Sequence, residues 1–369
     1  MTNPKRLIEK LLAQTPIKIN GQSPWDIKVK DESFYSQVLH QGSIGFGESY
    51  VEGKWESEQL DELIRLILLA NLEKKVGSKL DLMTKLQFLF FNLQSKTRAY
   101  IVGKKHYDFG NDLFEKMLDK GLNYSCGYWK NANNLDEAQE AKLDLIAKKL
   151  GLQSGMKVLD VGCGWGGFSE FAARHYGCKV KGITISKEQA EYAEQRCKNL
   201  PVEIRLKDYR DLHEHYDRIV SIGMFEHVGY KNYAIYFAKL YDLLADGGLF
   251  LLHTIGTNTS HFGNDPWINK YIFPNGVLPS IAQLIKGTEG KFVMEDWQNF
   301  GPDYDKTLLA WYGNFVQNWP TLKSKYSNET FRMFKYYLLC CAGAFRARNT
   351  QLWQVVFSKN RSERYDAPR

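Results

Sequence analysis

The chain reads as an α/β protein, a mostly parallel sheet covered by helices on both faces and preceded by a smaller, mainly helical segment. Three observations predict this. From Lys157 onward, apolar runs of strand length alternate with helical stretches through five repeats, the pattern of a parallel sheet buried on both sides. A glycine-rich turn from Gly162 to Gly167 joins the first of these strands to its helix. The chemically distinctive residues fall just after the strands, where open α/β sheets bind their ligands.

A length of 369 residues suits two domains, and the expected division is 1–102 and 103–369. Leu7 to Ala13 has helical spacing; the segment through Pro16, Gly21, Pro24, Gly42, Gly45 and Gly47 reads as short pieces broken by turn formers. From Leu60 the pattern is helical again, with Leu63, Ile64, Ile67 and Leu68 on one stripe, and a second helix is expected over Leu80–Leu93, where Phe88, Phe90 and Phe91 cluster. The stripe suits a small helical core, or an apolar face that touches a bilayer edge between Lys79, Lys85, Lys96 and Arg98. Lys96 to Lys105 is polar and basic and reads as the linker.

In the second domain Asn111 and Asp112 open a helical run. It is followed by a hydroxyl-rich turn at Tyr124, Ser125, Cys126 and Gly127, able to hold an anion without adding positive charge. A helix over Leu135–Leu150 leads into the strand–turn–helix. Further strands are expected at Val180–Ile185, after which Ser186 caps a helix, and at Val202–Leu206, Asp217–Gly223 and Leu249–Ile255. The last third is aromatic, in 265–276, 295–304 and 308–319, and suits a packed core or the wall of a dry tunnel. The run 336–357 reads as a helix and then a strand added to the sheet edge.

A formal net charge of +7 favours anionic partners, nucleic acid or acidic phospholipid. No basic run interleaved with aromatics marks a nucleic-acid groove, so no nucleic-acid partner is expected. The six cysteines, at 126, 163, 178, 197, 340 and 341, form no C-x-x-C pair; no metal is expected, and a reducing compartment is. No run of some 20 apolar residues would span a bilayer, and the first residues resemble neither signal nor anchor, so lipid contact is expected from the surface.

Gly162, Gly164 and Gly167 satisfy the G-x-G-x-x-G pattern of dinucleotide sites. Such a site wants an acid at the end of the second strand for a ribose diol. Thr184 stands there instead, with Gln189 a turn later, while Asp160 ends the first strand. A carboxylate at that point repels a pyrophosphate and suits an amino-acid or sulfonium head, so S-adenosylmethionine is the expected ligand, with Asp208 and Tyr209 placed for its adenine. Glu226, in MFEHVG after the fourth strand, and His253, at the end of the fifth, form a candidate acid/base pair. Cys341 suits a buried thiol or a nucleophile.

Read together, HYDFGNDLFEKML, YSCGYW, VLDVGCGWGGF, GITISKEQ, MFEHVG, LLHTIG, DPWINKYIFPNG, EDWQNFGPDYDKTLLAWY and CAGAFRARNTQLWQVVF resemble the cyclopropane-fatty-acyl-phospholipid synthase family over about Lys105 to Phe357. The resemblance implies a Rossmann-like S-adenosylmethionine-dependent methyltransferase fold with a seven-stranded sheet, and an N-terminal domain that faces lipid. It implies transfer of a methyl group to the cis double bond of a phospholipid acyl chain, closing a cyclopropane ring. It also implies a bound bicarbonate held by Glu226, His253 and Tyr312 with backbone groups of Cys126 and Ile255, and co-substrate contacts from Tyr124, Ser125, Gly162, Gly164, Thr184, Gln189, Asp208 and Tyr209. Cys341 stands where relatives carry a cysteine sometimes labelled catalytic. A homodimer bound peripherally to the inner face of the membrane, on the cytoplasmic side, completes the expectation. Related lipid methyltransferases that leave a methyl branch or act on a head group, and a non-catalytic lipid-binding relative, are the alternatives.

Overall fold

Neighbouring residues along each central strand are buried toward opposite sides, and this decides the larger unit. Val158, Val220, Leu249, Leu251 and Val356 pack into one apolar cluster, while Leu159, Ile219, Phe250, Leu252, Val355 and Phe357 pack into another. A strand alternates its side chains between the two faces, so a sheet built of such strands needs cover on both.

The structure is a computed structural model that describes residues 3–72 and 109–369. The expected helix over Leu80–Leu93 with Phe88, Phe90 and Phe91 lies outside the described residues. So do Lys79, Lys85, Lys96, Arg98, the linker Lys96–Lys105 and the boundary at 102/103. The chain divides into two compact units, each drawn from separate stretches: 1–91, 262–274 and 304–350 in the first, 92–261, 275–303 and 351–369 in the second.

The first unit contains α1 (Pro4–Leu12), α2 (Ser33–Gln41), α3 (Ser43–Val51) and α4 (Leu60–Leu69), with a short antiparallel pair of β1 (Lys28–Val29) and β2 (Trp55–Glu56). Gly42, Gly45 and Gly47 are expected to break the chain, but only Gly42, at φ 59°, does so. Gly45 and Gly47 lie inside α3 because the helix is closely covered: a Cβ at Gly45 would meet the Gln37 backbone, and one at Gly47 the indole of Trp267. The stripe on α4 is buried only at its start, at Leu60 and Leu63, while Ile64, Ile67 and Leu68 stay partly exposed. Phe34, Phe46, Tyr50, Trp55, Trp267 and Tyr336 form this unit's aromatic core.

The second unit contains α5 (Asn111–Met117), α6 (Leu135–Lys149), β3 (Lys157–Val161), α7 (Gly167–Tyr176), β4 (Lys179–Thr184), α8 (Lys187–Arg196), β5 (Val202–Leu206), β6 (Tyr216–Ile222), α9 (Tyr233–Leu243) and β7 (Leu244–Thr257). Three helices belong to later stretches: α10 (Pro266–Tyr271) and α13 (Asn328–Arg346) to the first unit, and α11 (Ile281–Thr288) to the second. A further one, α12, spans Pro302–Leu322. With β8 (Val293–Asn299) and β9 (Thr350–Ser358) the strands form one seven-stranded sheet in the order β5-β4-β3-β6-β7-β9-β8. The pairs from β5 to β7 are parallel, and β8 with β9 is antiparallel.

One expectation about this sheet is corrected. β9, read as an edge strand, lies inside, and the edge is β8, which overlaps the aromatic stretch 295–304 read as packed core or tunnel wall. Every residue of β9 after Thr350 is buried, as an interior strand requires, whereas β8 keeps exposed Val293 and Met294.

Candidate active site

The turn after β3 has the shape its glycines allow. The amides of Gly162 and Cys163 both donate to Ile183 O at 2.9 Å, which binds the turn to the end of β4. Gly162 has φ 83° and lies against the Met224 side chain; Gly164 has φ 55° and open space where a Cβ would stand. Only glycine adopts such backbone conformations freely. Asp160, just before the turn, is buried and accepts from the Ser169 hydroxyl at 2.7 Å. Burial pushes its carboxyl up to about 7, against the pull of Ser169 and of the Lys142 ammonium.

At the end of β4, Ser186 caps α8 as expected, accepting from Gln189 N at 3.3 Å. The Thr184 hydroxyl donates to Gln189 Oε1 at 3.0 Å, so both expected contacts face the same place. Past β5, both oxygens of Asp208 are engaged by the Arg210 guanidinium at 2.7 Å, and the Tyr209 ring meets Tyr236 edge-on in the core. An adenine there would share Asp208 with Arg210.

Glu226 follows the end of β6, and His253 lies on β7 opposite Ile222, the last residue of β6. A 3-10 turn at Phe225–His227 carries Glu226, whose Oε1 accepts from Ile255 N at 2.7 Å. That bond takes up the amide of Ile255, whose backbone groups are expected to face an anion. Desolvation raises the Glu226 carboxyl to about 7, and the hydrogen bonds from Ile255 and Thr254 limit the rise. His253 is two residues before Ile255 on the same strand. Burial, then the nearby Lys142 and Lys149 ammonium groups, hold its ring well below its ordinary range, so it is neutral.

Gln354 Nε2, on β9, lies 3.3 Å from His253 Nδ1; with Nδ1 accepting from that amide, the neutral ring carries its proton on Nε2. Two buried polar atoms at this place, Glu226 Oε2 and His253 Nε2, have no hydrogen-bond partner among the described residues. Phe300 packs edge-on to His253 with ring centroids 5.9 Å apart, and Tyr128 packs edge-on to Phe300 at 5.3 Å.

The turn at 123–126 is fastened from α6. Gln139 Nε2 donates to Ser125 O at 2.8 Å, and Lys142 Nζ donates to Ser125 Oγ at 3.0 Å. Tyr124 packs edge-on against Phe114, and the fully buried Cys126 points its thiol at Gly127 O. Tyr312 and Cys341 belong to the other unit, on α12 and α13. Burial raises the Tyr312 hydroxyl, and it pushes the Cys341 thiol to about 12, which keeps it a neutral thiol.

Gln139, Lys142 and Gln354 escape the sequence reading, although each leaves a trace there. Gln354 is a polar residue within the apolar run LWQVVF. Gln139 and Lys142 are three apart on the side of a helix that also carries Leu135, Ala138 and Ile146.

A family model described as mycolic acid cyclopropane synthetase matches residues 94–355. Cyclopropane-fatty-acyl-phospholipid synthase of Escherichia coli strain K12 is 54% identical over 355 residues, which is 96% of this chain and 93% of that protein. Among solved structures, the cyclopropane synthase MmaA2 from Mycobacterium tuberculosis superposes with a TM-score of 0.67 at 32% identity, covering 70% of this chain and 98% of that one. Mycolic acid cyclopropane synthase CmaA1, crystallised with SAH and CTAB, gives 0.66 at 35% identity over the same shares of each chain. The glycine turn, the strand order and the acid and histidine at the strand ends thus stand in a chain that belongs to the mycolic acid cyclopropane synthetase family.

Proposed function

We infer that this chain is a cyclopropane-fatty-acyl-phospholipid synthase. It moves the methyl group of S-adenosylmethionine to the cis double bond of an acyl chain in a phospholipid. The S–CH3 bond breaks, a C–C bond forms, and loss of a proton from the new methyl lets the ring close, leaving S-adenosylhomocysteine. The observation that carries this reading is the likeness, along nearly the whole chain, to the Escherichia coli synthase.

Each part of the site has a task in that chemistry. An alkene is a weak nucleophile, so most of the acceleration must come from holding the sulfonium in line and close. The glycine turn, Asp160, Thr184, Gln189, Asp208, Tyr209, Tyr124 and Ser125 are the groups proposed to do so. The cation left on the acyl chain must be kept from water, and the aromatic faces of Phe300 and Tyr128 beside His253 suit it.

The unpartnered Glu226 Oε2 and His253 Nε2 support a small oxyanion between them, and bicarbonate fits this donor set. When bound, bicarbonate supplies a base for the proton lost from the new methyl. With Nδ1 facing the Gln354 amide, His253 offers its Nε2–H. Glu226, titrating near 7, offers an O–H when protonated and a place for the proton when ionised. Tyr312 and a backbone group of Cys126 are taken as the remaining contacts, while the Ile255 amide is held by Glu226 Oε1 and acts through it.

The chain is further read as a homodimer, bound at the inner face of the membrane through an N-terminal domain within residues 1–102. Among the described residues no helix is long and apolar enough to cross a membrane, and the net charge of +7 suits anionic lipid. Light scattering of the purified chain tests the dimer by its mass.

The decisive assay incubates the enzyme with vesicles of phospholipid bearing cis-unsaturated chains and S-adenosylmethionine. Acyl chains that gain one CH2 and resist hydrogenation as a ring support the reading. A methyl branch, a methylated head group, or no S-adenosylhomocysteine at all would replace it with one of the alternatives.

A further inference from the structure

Lys142 is fully buried, one of two lysines so placed among the described residues, and no step above uses it. An ammonium taken out of water carries a penalty of several kcal/mol unless its protons are well used. Its partners lie in one turn. Nζ donates to Ser125 Oγ at 3.0 Å and to Asn123 Oδ1 at 3.3 Å. Asn123 is itself held by Asp119, which accepts from its amide at 2.8 Å and from its side chain at 2.7 Å. From the same face of α6, Gln139 donates to the carbonyl of Ser125.

The bond to Ser125 has a direction. An ammonium has no acceptor, so the serine oxygen must accept from it, and the one proton of that hydroxyl is left to point elsewhere. A hydroxyl polarised by a cation and free to donate is a receptor for a carboxylate. Asp160, at the end of β3, is the group read above as suited to an ammonium. Together they match a zwitterionic amino-acid group.

We propose that Lys142 is a positioning residue for the amino-acid end of S-adenosylmethionine, acting through Ser125, whose hydroxyl it turns outward as a donor to the ligand's carboxylate. The inference rests on the reading of Ser125 as a co-substrate contact.

Calorimetric titration with two probes tests it. S-adenosylhomocysteine carries the amino-acid end; 5′-methylthioadenosine lacks it. Lys142→Met should weaken the first by about 10- to 100-fold, the range for a hydrogen bond to a charged group, and the second by less than about twofold. Ser125→Ala should behave alike, and the double variant should be no weaker than Ser125→Ala alone, because the two act as one device. Lys142→Gln, which keeps an N–H donor, should recover most of the affinity.

Equal loss for both probes, or losses that add in the double variant, would overturn the proposal in favour of a structural brace. If Lys142→Met does not fold, Lys142→Gln and Ser125→Ala on the same probes decide it, selective loss in Ser125→Ala supporting the route and equal loss refuting it. Wild-type protein that binds neither probe would instead remove the co-substrate reading itself.

Discussion

Burial gives Glu226 its usefulness and its penalty. Its carboxyl is raised from the ordinary 4.5 to about 7, so between those values the folded chain keeps a proton that the unfolded chain has released. Stability must then fall as pH climbs through that window and stay level above it. Glu226→Gln should therefore gain stability relative to wild type between pH 5 and 8, by roughly 3 kcal/mol at most, read from melting curves. Parallel curves would contradict the raised carboxyl. The same variant should lose about 100-fold in turnover while binding S-adenosylhomocysteine as before. Stripping dissolved carbonate should lower the rate of the wild type and adding bicarbonate should restore it; a rate indifferent to both removes the anion. Cys341, a neutral thiol by its burial, should tolerate alanine with most turnover retained, measured in the same assay.

At the scale of elements, strand ends and the turns after them carry the site, and their backbones are specified as tightly as their side chains. Gly162 and Gly164 both need positive φ, but only Gly162 also lacks room, with Met224 beside it. Gly162→Ala should thus lower the melting temperature more than Gly164→Ala, whose strain is about 1 kcal/mol. The reverse order would place the strain elsewhere in the turn. Most of this architecture was legible beforehand because helix and strand periods are local. The run VEIRL, the Ser186 cap and the helix from Leu135 are where the pattern put them. Gly45 and Gly47 were misread as breakers, since the cause of a glycine there is a neighbour distant in sequence: Trp267 for Gly47.

At the scale of the molecule, the first unit joins the N-terminal stretch to two later ones. Arg332 holds Tyr50 O, Val51 O and Glu56, and Arg346 holds Asp61 and Glu62 together with Asp305. A Cβ at Gly343 would collide with the backbone of Asp61. Removing residues 1–72 would take these partners from Arg332, leave Arg346 with Asp305, and bare Trp267 and Tyr336. The truncated chain should aggregate or unfold without cooperativity, as judged by size exclusion and melting; a monodisperse product would refute this. Lipid contact is therefore better measured on the full chain. With a net charge of +7, sedimentation with anionic vesicles should exceed that with neutral ones and weaken as salt shortens the screening length to about 10 Å at 0.1 M. Equal binding to both would leave the charge without a role.

By itself the sequence determined the α/β class, the glycine turn, the order of the parallel strands' residues and the places of Glu226 after β6 and His253 on β7, because periodicity and motif spacing are properties of neighbouring residues. Only the tertiary structure decided that β9 lies inside the sheet, that Gln354 meets His253 Nδ1, and that Lys142 reaches Ser125. These depend on which chain segments meet after distant parts of the sequence pack, and on the loss of water there. No local pattern records either.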